Sequence, residues 1–141
     1  DNMIKLKASG KINPVDMTTA PFPGFPTDLQ AQWMALMTLA DGNSTVTDEV
    51  YLDRFTHIAE LSRLGANISL DKNKAFIKGE KQLIGAPIMS TDIRASASLI
   101  LAALAAKGKS EISRIYHIDR GYENIEEKLS KIGANIKRIC S

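Results

Sequence analysis

Apolar residues in this chain gather in two long runs with almost no polar face. The first, over 29–40, carries Leu29, Trp33, Met34, Leu36, Met37 and Leu39; the second, over 93–106, carries Ile93, Leu99, Ile100, Leu101 and Leu104. A helix that is apolar all round belongs in an interior. Each run is followed by an amphipathic one: Phe55, Ile58, Leu61 and Leu64 recur every three residues, and Ile125, Leu129 and Ile132 share one helical face. Stretches such as 109–112 alternate polar and apolar, as strands solvated on one face do. The pattern predicts helices at 28–40, 54–64, 92–106 and 121–132. It predicts strands at 3–7, 15–20, 44–47, 67–70, 75–78, 110–115 and 134–139, with 71–74 as a turn. Thr27 and Thr91 are the expected N-caps, and Gly42, Gly65 and Gly108 the expected stops. The expected class is α/β (α+β), with buried helices and sheets outside them.

The same words occur twice. Pro26-Thr27-Asp28-Leu29-Gln30-Ala31 is echoed by Ser90-Thr91-Asp92-Ile93-Arg94-Ala95. The segment from Leu61 to Ile68 shares six of eight residues with that from Leu129 to Ile136. Arg54 and Arg120 each stand at the expected start of a second helix. A supersecondary unit used twice explains this, with repeats at about 27–78 and about 91–139. Before Asp28, Pro21-Phe22-Pro23-Gly24-Phe25-Pro26 reads as a stiff ordered loop, because proline fixes φ and lacks an amide donor. Its two phenylalanines suggest that the loop is packed and aims Asp28.

Composition narrows the class. Of 141 residues 44% are hydrophobic and 24% charged, ordinary for a globular chain, and the net charge is only +2 with the basic residues scattered, which argues against a nucleic-acid binder. A single cysteine, Cys140, rules out an internal disulfide framework and fits a reducing compartment. Neither apolar run reaches the roughly 20 residues of a membrane span. The start lacks the basic-then-apolar pattern of a signal peptide. The expectation is therefore a cytoplasmic protein without membrane partners, and a piece of something longer, since position 1 is Asp.

Candidate chemistry lies at the helix starts. Asp28 and Asp92 suit either capping or a rigidly held general base. Arg94 is harder to explain as structure, because a cation two residues into an apolar helix opposes the helix dipole. It needs a carboxylate partner, for which Asp92 is near, or an anionic ligand. With Arg54 and Arg120 it would suit a phosphate or carboxylate, which guanidinium grips with a planar fork. His57 and His117 stand apart from any metal-spaced cluster, and Cys140 lacks a histidine partner, so neither a metal, a cofactor nor a cysteine nucleophile is expected.

Four motifs in order are then recognisable: the stretch from Thr19 to Asp28, Asp53-Arg54-Phe55, the stretch from Thr91 to Ser98, and that from Tyr116 to Glu123. They resemble the C-terminal part of the UDP-N-acetylglucosamine 1-carboxyvinyltransferase (UDP-N-acetylglucosamine enolpyruvyl transferase) family. The resemblance implies an inside-out α/β barrel, with this chain holding about two repeats of one domain. It implies transfer of the enolpyruvyl group of phosphoenolpyruvate to the 3′-hydroxyl of UDP-N-acetylglucosamine with release of phosphate, the first committed step of peptidoglycan synthesis. Asp28 matches the family's candidate base at the sugar hydroxyl and Val50 a nucleotide-sugar contact. Arg94 and Arg120 match arginines of the phosphoenolpyruvate region, and Arg54 and Asp92 further charged groups of the cleft. The other, N-terminal domain would supply a mobile loop with a proton-donating cysteine. These 141 residues lack that loop, so alone they are expected to be inactive. Two other readings remain: a shikimate 3-phosphate enolpyruvyl transferase, which would lack the Pro-Phe-Pro-Gly-Phe-Pro loop in this form, and a non-catalytic binding or assembly module on the same scaffold.

Overall fold

The two apolar runs become helices that pack on each other at the centre of the chain. In the computed structural model, which describes residues 2–3, 5–8 and 10–139, they are α1 (Gln30–Met37) and α3 (Ile93–Ala105). Met34, Ala35 and Met37 of α1, and Ala95, Leu99 and Ala102 of α3, are almost wholly buried. The expectation of interior helices holds with one exception. Leu36, Leu101 and Leu104 remain 45%, 47% and 37% exposed, so part of each helix is uncovered.

Around the helices lie short strands. β1 (Met17–Thr18) runs parallel to β2 (Asn43–Thr47), β2 pairs antiparallel with β4 (Lys74–Lys78), and β4 with β3 (Asn67–Asp71), in the order β1-β2-β4-β3. Along β4, Ala75 and Ile77 are buried while their neighbours face solvent, the alternation of a one-sided sheet. A two-stranded parallel sheet joins β5 (Pro87–Met89), which the apolar pattern was too short to announce, to β6 (Glu111–Ser113). The expected strand at 3–7 is absent among the described residues of that stretch, Ile4 lying outside them. The expected strand at 134–139 does not form: these residues belong to no element and join no ladder. In the larger sheet β4 separates β2 from β3. Beside β6, facing 135–139, there is a groove of about 1030 Å³.

The repeated words are helix stops. α2 (His57–Arg63) ends with the Ala66 N–H on the Leu61 carbonyl (3.1 Å) and the Gly65 N–H on that of Ser62 (3.0 Å). α5 (Ile125–Lys131) ends in the same way, Ala134 on Leu129 (3.1 Å) and Gly133 on Ser130 (3.0 Å). Gly65 and Gly133 sit at φ +90° and +98°, the left-handed conformation that this paired cap requires and that a Cβ disfavours. The fourth helix, expected at 121–132, starts only at Ile125, and a short helix the pattern did not announce, α4 (Tyr116–Asp119), lies before it. Asn124 at φ 46° turns the chain between the two.

The core also holds His57, 1% exposed, its Nε2 3.2 Å from Met34 Sδ and its ring stacked near Phe55. Burial lowers its pKa from 6.5 to about 4, against a weaker opposing pull from Asp92. Unfolded chain takes up the proton near pH 6.5 and folded chain resists it down to about pH 4. The stabilisation is therefore complete above pH 6.5 and declines as pH falls through that window, by about 3 kcal/mol in total. Urea unfolding of the protein at pH 7 and pH 4.5 should show the loss. A His57→Gln variant, which has nothing to protonate there, should lose much less; equal losses in both would remove His57 as the cause.

Candidate active site

The loop that ends at Asp28 is anchored from both sides. The Ala20 N–H donates to the Phe25 carbonyl (2.9 Å), the Gly24 N–H to that of Pro21 (2.8 Å), and Phe25 meets Trp33 edge-on at 5.5 Å. Phe22, by contrast, is 98% exposed, so only one of the two phenylalanines packs. Pro26 then leads into a single 3-10 turn, Thr27–Leu29, instead of the first turn of a long helix. Thr27 does not cap; its hydroxyl donates to Asp48. The turn leaves the Asp28 side chain 61% exposed.

Two arginines hold one oxygen of that carboxylate. Arg94 Nε donates to Asp28 Oδ1 at 2.5 Å, and Arg54 Nη1 donates to the same atom at 3.1 Å. Oδ2 accepts no hydrogen bond from the described residues. The Arg94 hydrogen bond is the main reason that the Asp28 carboxyl sits below the usual carboxylate range, with Arg54 adding to it. Arg54 lies in the turn before α2, not in the helix. Its guanidinium lies 4.0 Å over the Tyr51 ring and also donates to Thr27 Oγ1 (3.0 Å), so a cation and an aromatic face steady each other.

Asp92, close kin to Asp28 in sequence, is used differently. It is the N-cap of α3, accepting the Arg94 N–H (2.8 Å) and the Ala95 N–H (3.0 Å) on Oδ1. Thr91 was expected there, and Asp92 was expected as the neighbour that could pair with Arg94. The cap occupies Asp92, and the carboxylate that the Arg94 side chain finds is Asp28, because α1 and α3 lie side by side. Thr56 Oγ1 reaches Asp92 Oδ2 only at 3.5 Å.

A hollow of about 280 Å³ lies beside these groups, lined by Asp28, Leu29, Gln32, Ile93, Arg94, Gly121 and Tyr122. The wall formed by α3 and the turn after α4 is set by close packing: a Cβ on Gly121 would lie 2.1 Å from Ile93 Cδ1. Arg120 is the residue before that wall. It stands at the C-cap of α4, where the dipole favours a cation, and not at a helix start as expected. Its side chain is not among the lining groups and makes no ion pair among the described residues. Val50 is on the turn after β2, 38% exposed, its N–H on Asp48 Oδ1 at 3.0 Å. The structure thus brings Asp28, Arg54 and Arg94 into direct contact, puts Arg120 one residue from the hollow, and holds Asp92 behind it as a cap.

Two groups escaped the sequence reading. Asp48 is fully buried where β2 ends. An acid straight after the strand expected at 44–47 was the available signal. Gln32 Oε1 is buried on the wall of the hollow without a hydrogen-bond partner among the described residues, and nothing in the sequence marks it. No cluster of three His, Cys, Asp or Glu able to hold a metal occurs among the described residues. His117 is half-buried against Tyr116, ring centroids 4.2 Å apart, and Cys140 lies outside the described residues. Among the described residues no helix is long and apolar enough to cross a membrane.

Comparison with known proteins adds three findings. A family model for EPSP synthase (3-phosphoshikimate 1-carboxyvinyltransferase) matches residues 1–129. Proteins named UDP-N-acetylglucosamine 1-carboxyvinyltransferase are similar in sequence. That of Pelodictyon phaeoclathratiforme is 58% identical over 98% of this chain and 32% of its own length. That of Geotalea daltonii is 55% identical over 99% of this chain and 33% of its own. The chain spans about a third of these curated relatives. Among solved structures, the enolpyruvyl transferase NikO from Streptomyces tendae superposes with a TM-score of 0.83 at 32% identity, over 93% of this chain and 30% of that one. EPSP synthase from Acinetobacter baumannii does so at 0.64 with 18% identity, over 90% and 28%, a likeness of fold alone.

Proposed function

This chain belongs to the EPSP synthase (3-phosphoshikimate 1-carboxyvinyltransferase) family, and we propose that it is the part of a UDP-N-acetylglucosamine enolpyruvyl transferase that holds the sugar hydroxyl and part of the anion grip. One observation carries the reading: two guanidinium groups pin Oδ1 of Asp28, a residue lining the hollow, while Oδ2 accepts no hydrogen bond among the described residues. A carboxylate so held is ionised and fixed in place, and its open oxygen can accept a proton. The acceptor is taken as UDP-N-acetylglucosamine because relatives bearing that name are 55–58% identical to this chain, against 18% for EPSP synthase.

The chemistry follows from the charges. The 3′-hydroxyl oxygen adds to C2 of phosphoenolpyruvate as Asp28 Oδ2 removes its proton, and C3 gains a proton. The tetrahedral adduct then loses phosphate and the C3 proton, restoring the double bond in the product. The carboxylate and phosphate of phosphoenolpyruvate demand cations in fixed places, and preorganised donors matter most where charge develops. Arg94 lines the hollow, Arg54 stands behind Asp28 on the same carboxylate oxygen, and Arg120, one residue from the hollow, would be the third cation. Asp92 acts by fixing the start of α3, and Val50 as a backbone-anchored contact for the nucleotide sugar. The resemblance assigns the donor of the C3 proton to a loop cysteine on the N-terminal domain of the same protein, the expected partner of this one. Each of the two repeats, about 27–78 and about 91–139, contributes one wall. The setting that follows is cytoplasmic peptidoglycan synthesis, the pathway of cell-wall growth and division.

A direct test separates domain from enzyme. The 141 residues alone, given phosphoenolpyruvate and UDP-N-acetylglucosamine, should release no phosphate above background, whereas the full-length protein should turn over. Release by the short chain would show that a proton donor exists within it. Calorimetry on the full-length protein should give heat with UDP-N-acetylglucosamine and none with shikimate 3-phosphate; the opposite pattern would replace the acceptor.

A further inference from the structure

We propose that Asp48 is a positioning residue for this transfer: buried behind the cleft, it orients the Thr27 hydroxyl and through it aligns Arg54 and Asp28. The proposal rests on the reaction assigned above and concerns a residue that touches neither substrate.

Asp48 is fully buried, yet each carboxylate oxygen is engaged. Oδ1 accepts Thr19 Oγ1 (2.7 Å), the Val50 N–H (3.0 Å) and the Tyr51 N–H (2.8 Å); Oδ2 accepts Thr27 Oγ1 (2.7 Å). Its backbone is fixed as well. The Asp48 N–H donates to the Asn73 carbonyl (2.9 Å), and Asn73 Nδ2 donates to the Asp48 carbonyl (3.0 Å), which ties the residue to the β3–β4 turn. Burial pushes its carboxyl pKa up, but the donors, led by the Tyr51 N–H, outweigh that and hold it below the usual range.

The direction of these bonds matters. A threonine hydroxyl has one proton and two lone pairs. Asp48, an acceptor only, takes the Thr27 proton, so a lone pair of Thr27 is presented to Arg54 Nη1 at 3.0 Å. The same nitrogen holds Asp28 Oδ1 at 3.1 Å. The order Asp48, Thr27, Arg54, Asp28 is therefore one polarised chain from the core to the carboxylate at the hollow. Asp48 also sets the turn that carries Val50 and Tyr51, and Tyr51 is the ring on which Arg54 lies. A tie whose only task was stability would have no reason to end on three site residues.

The experiment uses the full-length enzyme with phosphoenolpyruvate and UDP-N-acetylglucosamine, with kcat counted per folded molecule. Thr27→Val keeps the shape and removes the hydroxyl; Asp48→Asn keeps the shape and replaces an acceptor with a donor. Each should lower kcat about 10- to 100-fold, the scale of a small misplacement of reacting groups. The double variant should be no slower than the worse single one, as expected for members of one chain. Thr27→Ser, which restores the hydroxyl, should return kcat to within about threefold of wild type. A purely structural role would lower the thermal midpoint while leaving kcat per folded molecule unchanged, and that result overturns the proposal, as do losses that multiply in the double variant. If Asp48→Asn does not fold, unchanged kcat in Thr27→Val is enough to overturn it. Absence of turnover in the wild type would defeat the reaction assignment itself, whereas an active wild type with unaffected variants removes the role of Asp48 alone.

Discussion

Replacing Asp28 by Asn in the full-length enzyme should reduce kcat about 10²- to 10⁴-fold, the usual contribution of a positioned general base. The substitution conserves shape, and its carbonyl oxygen can still accept from Arg54 and Arg94, but it leaves nothing able to take the hydroxyl proton. Stability should hardly change. The Asp28 side chain is 61% exposed, and ion pairs at that exposure contribute about 0–1 kcal/mol. The expected signature is a large fall in kcat, a small change in KM for UDP-N-acetylglucosamine, and a thermal midpoint close to wild type. Phosphate-release kinetics with both substrates varied would check it. Turnover within threefold of wild type would show that Asp28 binds and does not catalyse, and would favour the module reading for this residue.

The second large effect belongs to Arg94. Changing it to Gln removes a cation at the hollow and the main donor to Asp28 Oδ1. Loss of one preorganised donor of this kind costs about 10²- to 10³-fold in rate, so kcat/KM for phosphoenolpyruvate should fall on that scale. A shift in pH dependence should accompany it. The Arg94 hydrogen bond is the largest influence lowering the Asp28 pKa, so without it that pKa moves back up. A base must be ionised to act, and the acid limb of the kcat/KM profile should accordingly move to higher pH. Arg54 remains on Oδ1 and keeps the shift partial. An acid limb that stays in place while the rate falls would mean that the limb belongs to another group. Arg120 offers a contrast, having no ion pair among the described residues; an Arg120→Gln change should lower kcat/KM without moving the limb.

These effects turn on pairings that differ in how far the chain's own text announces them. The apolar runs at 29–40 and 93–106 announce interior helices, because a helix lacking a polar face has few places to go. The shared Leu-Ser…Gly-Ala-Asn-Ile words announce two equivalent helix ends, because that cap needs a left-handed residue at a fixed offset, and Gly65 and Gly133 supply it. The ordered loop before Asp28 is equally local, since its prolines fix φ. Relatives at 55–58% identity bear the name that the four motifs suggested.

Local sequence had no means of distinguishing Asp28 from Asp92, which follow the same threonine and lead into similar helices. Asp92 enters α3 in an extended conformation at φ −154° and caps it, whereas Asp28 lies inside a 3-10 turn whose carboxylate faces outward. Arg94 could have paired with Asp92 two residues away; it pairs instead with Asp28, 66 residues away, since α1 and α3 pack together. Arg120 falls at the end of α4 and not at a helix start, because the chain turns through Asn124 at φ 46° before α5 begins. Asp48 looks like any acid at a strand end until Thr19, Thr27, Val50 and Tyr51 converge on it. Sequence by itself determined where the long helices lie, which of their faces are apolar and where α2 and α5 stop, since those depend on neighbours three or four residues away. Which carboxylate each arginine meets, and which acid is buried to aim the others, only the tertiary structure decided, since partners remote in the chain are chosen by how the helices and sheets come to lie against one another.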